Sequence, residues 1–317
     1  MFFFSSAHRA GRVLVIGLVL VALQPVQVVA QTVSGNEIRP VVLTPDDSLH
    51  QDGKGEFLPE WHAAISNIPG DWLRFARIAF TSRYAPIMAG TAGLTVALVA
   101  SDNETWTRSH EWYTGSHTVK WLSDQVEWVG DGRPQFGLAA AFAAYGFVAK
   151  DSRALRTGSQ IVETILASGT VVQVLKHITG RESPFVSSVP GGRWDLFPNQ
   201  IEYSKHVPHY DAYPSGHVTT ALATVTVVIE NYPEWWWARP VGYLAVAGLA
   251  VSMGNTGIHW YSDYPLAVVL GYSFGMIAAH PPELGGLSPE SKPGEPELSV
   301  APLIEPSGAG ISVCVTF

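Results

Sequence analysis

The chain contains little cysteine and little charge. Cys314 is the only cysteine among its 317 residues, so no disulfide can form within the chain. Charged residues make up 15% of the sequence, and 19 lysines and arginines against 27 aspartates and glutamates give a formal net charge of −8. Nucleic-acid binding needs clustered basic residues, so this balance argues against it. A hydrophobic share of 47% is enough to build a substantial core without disulfides.

The first long uncharged stretch is predicted to be part of a signal peptide. Arg9 and Arg12 precede an apolar run over residues 13–23, which is too short to span a bilayer comfortably. The Val-Val-Ala sequence at residues 28–30 fits a signal-peptidase site. Residues 1–30 are therefore predicted to direct export to the periplasm, with a retained N-terminal anchor as the alternative.

A second uncharged stretch covers residues 84–100. It is the best candidate for a membrane span outside the signal peptide, although it is short for that role. The segment that follows contains Trp106, Trp112, Trp121 and Trp128, which fit either a membrane-interface belt or the core of a soluble bundle. We expect a soluble or peripherally bound protein.

The remaining chain divides by composition. Residues 31–75 are predicted to be an N-terminal arm, either extended with one short helix or partly disordered, and residues 76–280 a helical domain. A Pro- and Gly-rich linker follows over residues 281–297. Residues 298–317 alternate around a Ser-Gly-Ala-Gly turn, which is typical of a β-hairpin. The expected fold class is all-α, a helical bundle with a small C-terminal β-hairpin.

The residues that carry chemistry lie within residues 213–263. Pro-Ser-Gly-His precedes an apolar run, so Ser215 is predicted to cap a helix whose first N–H groups form an anion site. His217 lies on the first turn of that helix. His259 and Asp263 are four residues apart, so on a helix the carboxylate can hold one ring nitrogen and direct the other outward. Such a pair of histidines suits phosphoryl transfer through a phosphohistidine.

Three ordered blocks within residues 130–280 resemble those of the type 2 phosphatidic acid phosphatase superfamily, which includes acid phosphatases and vanadium haloperoxidases. The family blocks are Lys-x6-Arg-Pro, Pro-Ser-Gly-His and Ser-Arg-x5-His-x3-Asp. They correspond here to residues 176–184, 214–217 and 252–263. The resemblance implies a helical bundle and a reaction that needs no metal or other cofactor.

The resemblance also implies a role for each matching residue. His259 would attack phosphorus, Asp263 would orient it, and His217 would protonate the leaving oxygen and then activate water. Lys176 and the backbone at Ser215 and Gly216 would hold the phosphate oxygens.

Both family arginines are replaced, by Ser183 and Met253. Neither a hydroxyl nor a thioether replaces the planar fork of a guanidinium. Arg181, two residues before Ser183, is the best candidate for a substitute grip on phosphate. The alternative is a structural role in which Arg181 caps backbone carbonyls.

The leading hypothesis is a metal-independent phosphatase that acts on a phosphate monoester or diphosphate, a lipid phosphate being one such substrate, through a phosphohistidine. The alternative is a catalytically weakened relative that binds phosphorylated lipid or has a structural role in the envelope. A vanadate-dependent haloperoxidase ranks third, because vanadate needs the same oxyanion grip. The expected partner is a phosphorylated small molecule or lipid, with peripheral membrane contact. The sequence does not predict an oligomeric state.

Overall fold

The computed structural model describes residues 63–130, 132–281, 297–305 and 308–316. The predicted signal peptide and most of the predicted arm lie outside the described residues. Two compact units divide the chain between Ala279 and His280.

The first unit is helical throughout its described part, which confirms the predicted all-α class. Short 3₁₀ turns at Pro184–Val186, Val207–His209 and Tyr261–Asp263 lie in its loops. Its α-helices are α1 (Ala63–Ser66), α2 (Ile68–Ala79), α3 (Ala85–Val99), α4 (Asp102–Gly115), α5 (His117–Gly130), α6 (Arg133–Ala149), α7 (Ser152–Thr179), α8 (Gln200–Lys205), α9 (Gly216–Asn231), α10 (Ala238–Thr256) and α11 (Tyr264–Ala279).

The ends of the two helices that carry the site follow local sequence signals. The side chain of Asp151 accepts a hydrogen bond from the Ala154 N–H and so caps α7. The same helix ends at Gly180, whose φ of 52° is the left-handed conformation that glycine adopts readily. Ser215 caps α9 by accepting from the Val218 N–H at 3.3 Å.

Helices α7, α9 and α11 form the centre of the bundle. A Cβ added to Gly271 of α11 would come within 2.5 Å of the Thr219 carbonyl oxygen of α9, so these two helices need glycine to approach this closely. Ile161 of α7, Val227 of α9 and Ala278 of α11 share one hydrophobic cluster. This packing brings the C-terminal end of α7 next to the N-terminal end of α9.

Two features differ in detail from the sequence-based expectation. Helix α2 crosses residue 75, so the boundary predicted between the arm and the helical domain lies within a helix. His259 and Asp263 do not share an α-helical face, because a 3₁₀ turn lies between α10 and α11.

One described helix, α7, is long and apolar enough to cross a membrane. However, 44% of its apolar 18-residue stretch is buried inside the bundle. The count rises to two if α3 and α4, which meet at 65°, are taken as one broken span. Side chains of Trp112, Trp121 and Trp128 are 56%, 58% and 61% exposed, so they do not pack in the core of this unit.

The second unit contains two strands. β1 (Glu297–Glu305) and β2 (Gly308–Thr316) pair antiparallel, with Val300 opposite Val313. The hairpin as a folded part of the protein stays a prediction.

Candidate active site

Two histidines that are 42 residues apart in sequence meet at the N-terminal end of α9. His217 lies on the first turn of that helix and is half-buried, whereas His259 follows α10 and is buried. The distance from His217 Nδ1 to His259 Nε2 is 3.1 Å, and the ring planes are inclined by 67°. The structure therefore brings together the two imidazoles that the sequence analysis placed in one site.

The hydrogen bonds of His259 define its tautomer. Its Nδ1 lies 2.8 Å from the carbonyl oxygen of Ala212, which can only accept a hydrogen bond. The proton of a neutral His259 must therefore be on Nδ1, and Nε2 carries the lone pair. The lone pair faces Nδ1 of His217, which donates to it. A nucleophilic nitrogen is thus presented toward the second histidine.

Burial keeps the His259 imidazole neutral. Desolvation, together with the positive charges of Lys176 and Arg181, lowers the pKa of His259 to about 3. The charge of Asp211 and the bond to Ala212 oppose this shift. At neutral pH the ring is therefore an uncharged base and nucleophile.

Asp263 is the predicted orienter of His259, but its carboxylate is not the nearest acceptor. Its Oδ2 lies 3.5 Å from His259 Nδ1, farther than the Ala212 oxygen, and accepts instead from the Trp260 N–H at 2.8 Å. Burial raises the pKa of Asp263 to about 6, although Arg181 and the Trp260 N–H favour the charged form. Asp263 therefore acts on His259 mainly through the turn that carries it.

Arg181 corrects one sequence-based expectation. Its side chain is fully buried, and its four Nη–H groups are all donated within the protein. Their acceptors are Ser262 Oγ at 2.6 Å, Asp263 Oδ1 at 2.5 Å, Asp102 Oδ2 at 2.5 Å and the Gly191 carbonyl at 3.0 Å. Because two buried carboxylates already neutralise the guanidinium, Arg181 does not offer the Nη fork with which an arginine grips a phosphate.

Two indole rings complete the enclosure of Arg181. The guanidinium carbon lies 4.6 Å from the centre of the Trp194 ring and 5.3 Å from that of Trp260. Trp260 is itself held by a hydrogen bond from its Nε1 to the Glu182 carbonyl at 2.7 Å. The structural alternative for Arg181 is therefore the one that these contacts favour.

Asp102 is a residue of the site that the sequence analysis missed. It lies at the start of α4, is fully buried, and accepts from Arg181 Nη2 and Ser262 Oγ, each at 2.5 Å. It is 79 residues from Arg181, and no spacing pattern joins the two. The only signal in the sequence is that Asp102 is the first charged residue after the uncharged stretch that begins at residue 84.

Lys176 lies where the resemblance implies a phosphate ligand. It occupies the last turn of α7 and is buried, and a Cβ added to Gly216 would be 3.9 Å from its Nζ. Its Nζ donates to Asp211 Oδ2 at 3.4 Å. Lys176 therefore sits beside the N-terminal end of α9, with a partly exposed carboxylate as its partner.

Ser215 and Gly216 play different parts at this helix end. The Ser215 N–H donates to the Asp263 carbonyl at 3.1 Å, and its side chain caps α9. That N–H is therefore used inside the protein, which corrects its expected contact with phosphate. Gly216 is the first helical residue, and the N–H groups of the first turn of an α-helix have no acceptor within the helix. Its predicted contact with phosphate stays a prediction.

The two residues that replace the family arginines are both buried. Ser183 is 2% exposed, and its N–H donates to the Pro208 carbonyl at 2.9 Å. Met253 is fully buried. A Cβ added to Gly130 would be 2.9 Å from the Met253 Cε and 3.3 Å from the His217 Cδ2, so Met253 lies near His217. These side chains fill space beside the site and add no positive charge.

Formal charges show how little positive potential remains. Lys176 and Arg181 are the two cations in the contacts described above, and Asp102, Asp211 and Asp263 are the three carboxylates. The five groups sum to −1 when all are ionised. Among the described residues, no group of three or more His, Cys, Asp or Glu side chains could hold a metal ion.

The fold and the site together define a helical protein with a histidine pair at the start of a helix. A family model described as the PAP2 superfamily matches residues 158–282, which include all three sequence blocks. Residues 158–282 match this superfamily, as the sequence blocks predicted. Members of this superfamily are generally phosphatases of phosphate esters, lipid phosphates among them. Comparisons with curated proteins and with solved structures gave no match.

Proposed function

We propose that this protein hydrolyses a phosphate monoester or diphosphate through a phosphohistidine on His259. The observation that carries the proposal is the orientation of His259, whose Nδ1–H is held by Ala212 and whose Nε2 faces His217 at 3.1 Å. A buried, neutral imidazole with a fixed lone pair is a nucleophile that needs no deprotonation.

The reaction takes two steps. In the first, His259 Nε2 forms a bond to phosphorus while the P–O bond to the leaving group breaks, and His217, in its imidazolium form, gives one of its two ring protons to the leaving oxygen and becomes neutral. In the second, His217 takes a proton from water, whose oxygen attacks phosphorus, and the P–N bond breaks. Inorganic phosphate and the free alcohol are the products, and both histidines return to their starting states.

Substrate binding requires a rearrangement of His217. Its Nδ1 occupies the space next to His259 Nε2, where a phosphorus atom must lie for attack at about 3–3.5 Å. His217 is only half-buried, so its side chain has room to turn toward solvent. Lys176 and the Gly216 N–H then hold the phosphate oxygens, and the Asp211 carboxylate yields its place beside Lys176.

The direct test replaces the nucleophile. We expect His259→Gln to lower hydrolysis of p-nitrophenyl phosphate and of a short-chain phosphatidic acid by at least about 10³-fold, because the variant lacks the nitrogen that attacks phosphorus. Brief incubation of the wild type with ³²P-labelled substrate should leave an acid-labile label that the variant lacks.

A matched control is His177→Gln. His177 neighbours Lys176 in sequence but stacks on Tyr203, with ring centres 4.1 Å apart. The His177→Gln variant should retain wild-type turnover. Equal turnover by the His259 variant and the wild type would remove the proposed mechanism.

The charge balance of the site favours a second candidate, a weakened relative that binds a phosphorylated lipid without turning it over. Its motivation is that Ser183 and Met253 supply no charge and that Arg181 has its four Nη–H groups occupied. Saturable binding of phosphatidic acid vesicles without release of inorganic phosphate would support this candidate. Rapid release of phosphate would eliminate it.

We also propose an exported, periplasmic location with peripheral membrane contact. The support is the signal-peptide pattern of residues 1–30 and the exposure of Trp112, Trp121 and Trp128. Alkaline carbonate extraction of membranes tests the attachment. Release into the supernatant is expected, and retention in the membrane would indicate a spanning helix instead.

A further inference from the structure

The geometry points to Asp102 as a positioning residue for both histidines, acting through Arg181 and Asp263. This inference rests on the proposed function only in that it calls His259 the nucleophile. Asp102 belongs to α4, outside the segment that matches the family, so the family segment alone does not contain the whole site.

The first step is the contact between Asp102 and Arg181. Their side chains are both fully buried and join at 2.5 Å. The Ser262 hydroxyl donates to the same Asp102 oxygen at 2.5 Å, and Arg181 Nη1 donates to that hydroxyl at 2.6 Å. Three buried groups therefore close a ring of hydrogen bonds, and removal of the Asp102 charge leaves Arg181 with one carboxylate instead of two.

The second step runs from Arg181 to Asp263. Nη1 of Arg181 holds Asp263 Oδ1 at 2.5 Å, which leaves Oδ2 to accept the Trp260 N–H. Trp260 directly follows His259, so this bond fixes the backbone that carries the nucleophile. The Asp263 carbonyl accepts the Ser215 N–H and thereby ties the start of α9, which carries His217, to the same turn.

A parallel path runs through the backbone of Arg181. Its carbonyl accepts the Ala212 N–H at 3.0 Å, and the Ala212 carbonyl accepts the Nδ1–H of His259 at 2.8 Å. A shift of Arg181 would therefore move the acceptor that selects the His259 tautomer. Both paths start from Arg181, one from its guanidinium and one from its backbone carbonyl, and Asp102 holds the side chain of this residue in place.

The primary test is Asp102→Asn in the full chain. An amide keeps the shape but turns one acceptor into a donor, which must face either the Arg181 fork or the Ser262 groups. We expect kcat for p-nitrophenyl phosphate to fall about 10- to 100-fold while KM changes less than about 3-fold. We also expect the ¹⁵N signals of the His259 ring to change from one tautomer, with the proton on Nδ1, to a mixture.

The ring signals separate this inference from the proposed function. A wild type without activity would contradict the phosphatase proposal, yet a changed tautomer in Asp102→Asn would still support the positioning role. A folded variant with wild-type ring signals would overturn the inference, whatever its activity. A residue that only stabilises the fold would lower the melting temperature and leave the ring signals of the folded protein unchanged.

Two further variants cover other outcomes. Asp71→Asn is the matched control, because Asp71 is also a buried acid paired with an arginine, Arg74, on its own helix. It should leave kcat and the His259 signals unchanged.

If Asp102→Asn does not fold, Ser262→Ala tests the inference instead, because it removes the bridging hydroxyl and keeps the charges of Asp102 and Arg181. It should shift the ring signals in the same direction, and unchanged signals would overturn the inference.

Discussion

The two sides of the site contrast sharply in how many partners their side chains have. On the side of the proposed nucleophile, His259, Asp263 and Arg181 are buried. Arg181 donates to Asp263 at 2.5 Å, His259 donates to the Ala212 carbonyl at 2.8 Å, and Asp263 lies 3.5 Å from His259. On the side proposed to bind phosphate, Lys176 lies beside the start of α9, and its partner is a partly exposed carboxylate at 3.4 Å. The groups proposed to make and break bonds are thus more firmly held than the cation proposed to bind phosphate.

This contrast distinguishes chemistry from recognition. A fixed nucleophile lowers the barrier only for substrates that reach it, and charge-assisted contacts supply much of the affinity for phosphate. We therefore expect a slow enzyme with weak phosphate affinity. The predictions below test each side in turn.

The largest effect is expected when an arginine is restored at position 253. Met253 is fully buried against Gly130, so the charge of Met253→Arg has no room to reach solvent. We expect a loss of about 4 kcal/mol or more in the free energy of unfolding. The volume-conserving Met253→Leu should cost less than about 1.5 kcal/mol. Urea unfolding measures both.

The opposite result for that variant would be informative. A folded Met253→Arg protein that releases phosphate faster than the wild type would mean that the phosphate-binding side needs only one residue to recover. The two sides of the site would then differ only in that the phosphate-binding side lacks one positive charge.

The next effect concerns the pH dependence of stability. The pKa of His259 is about 3 in the folded protein and about 6.5 when unfolded, so the unfolded state binds the proton first. Burial of the neutral His259 therefore contributes fully to the free energy of unfolding above pH 6.5. This contribution is lost as the pH falls toward 3, by a few kcal/mol in all. Asp263 changes the free energy of unfolding in the opposite direction. Its pKa is raised to about 6 in the folded protein, so the folded state binds this proton first as the pH falls.

A comparison of variants isolates the His259 part. The free energy of unfolding of the wild type minus that of His259→Gln should decrease between pH 6.5 and pH 3.5, as followed by urea unfolding. A constant difference would show that the imidazole is not desolvated, and the nucleophile side would lose its distinguishing property.

Lys176 carries the third prediction. Lys176→Gln removes the cation next to Gly216, and a charge-assisted hydrogen bond is worth about 1.5–3 kcal/mol. We expect kcat/KM to fall about 10- to 150-fold. Lys205→Gln is the control, because Lys205 is an exposed residue paired with Glu202. Similar rates for the two variants would mean that another group holds the phosphate.

The smallest effect belongs to Asp211. Its carboxylate competes with phosphate for Lys176, but it is 28% exposed, so the pair contributes only about 0.2–1 kcal/mol. Asp211→Asn should therefore strengthen competitive inhibition by inorganic phosphate about 1.5- to 5-fold. Weaker inhibition would indicate that Asp211 holds Lys176 in its binding position rather than competing for it.

Sequence patterns were sufficient where the determining interactions are local. Asp151 and Ser215 cap their helices, and Gly180 ends α7, because these contacts reach only three or four residues along the chain. The apolar composition and helical periodicity likewise implied an all-α unit. Order and spacing of the three blocks led to the family, which the match over residues 158–282 confirms.

Local patterns failed where the partner is distant. The sequence placed His259 and Asp263 on one helical face, but the chain forms a 3₁₀ turn there, and the nearest acceptor for His259 is the carbonyl of Ala212, 47 residues away. Backbone carbonyls carry no sequence signal, so no motif could have revealed this contact.

The sequence by itself determined the helical class, the helix ends and the family of this protein, because periodicity, capping and motif spacing act over a few residues. Only the tertiary structure decided the role of Arg181. A free arginine near Lys176 would bind phosphate, but packing brings Asp102 and Asp263 to within 2.5 Å of its guanidinium. A buried charge takes the partners that the fold supplies, and those partners were 79 and 82 residues away in sequence.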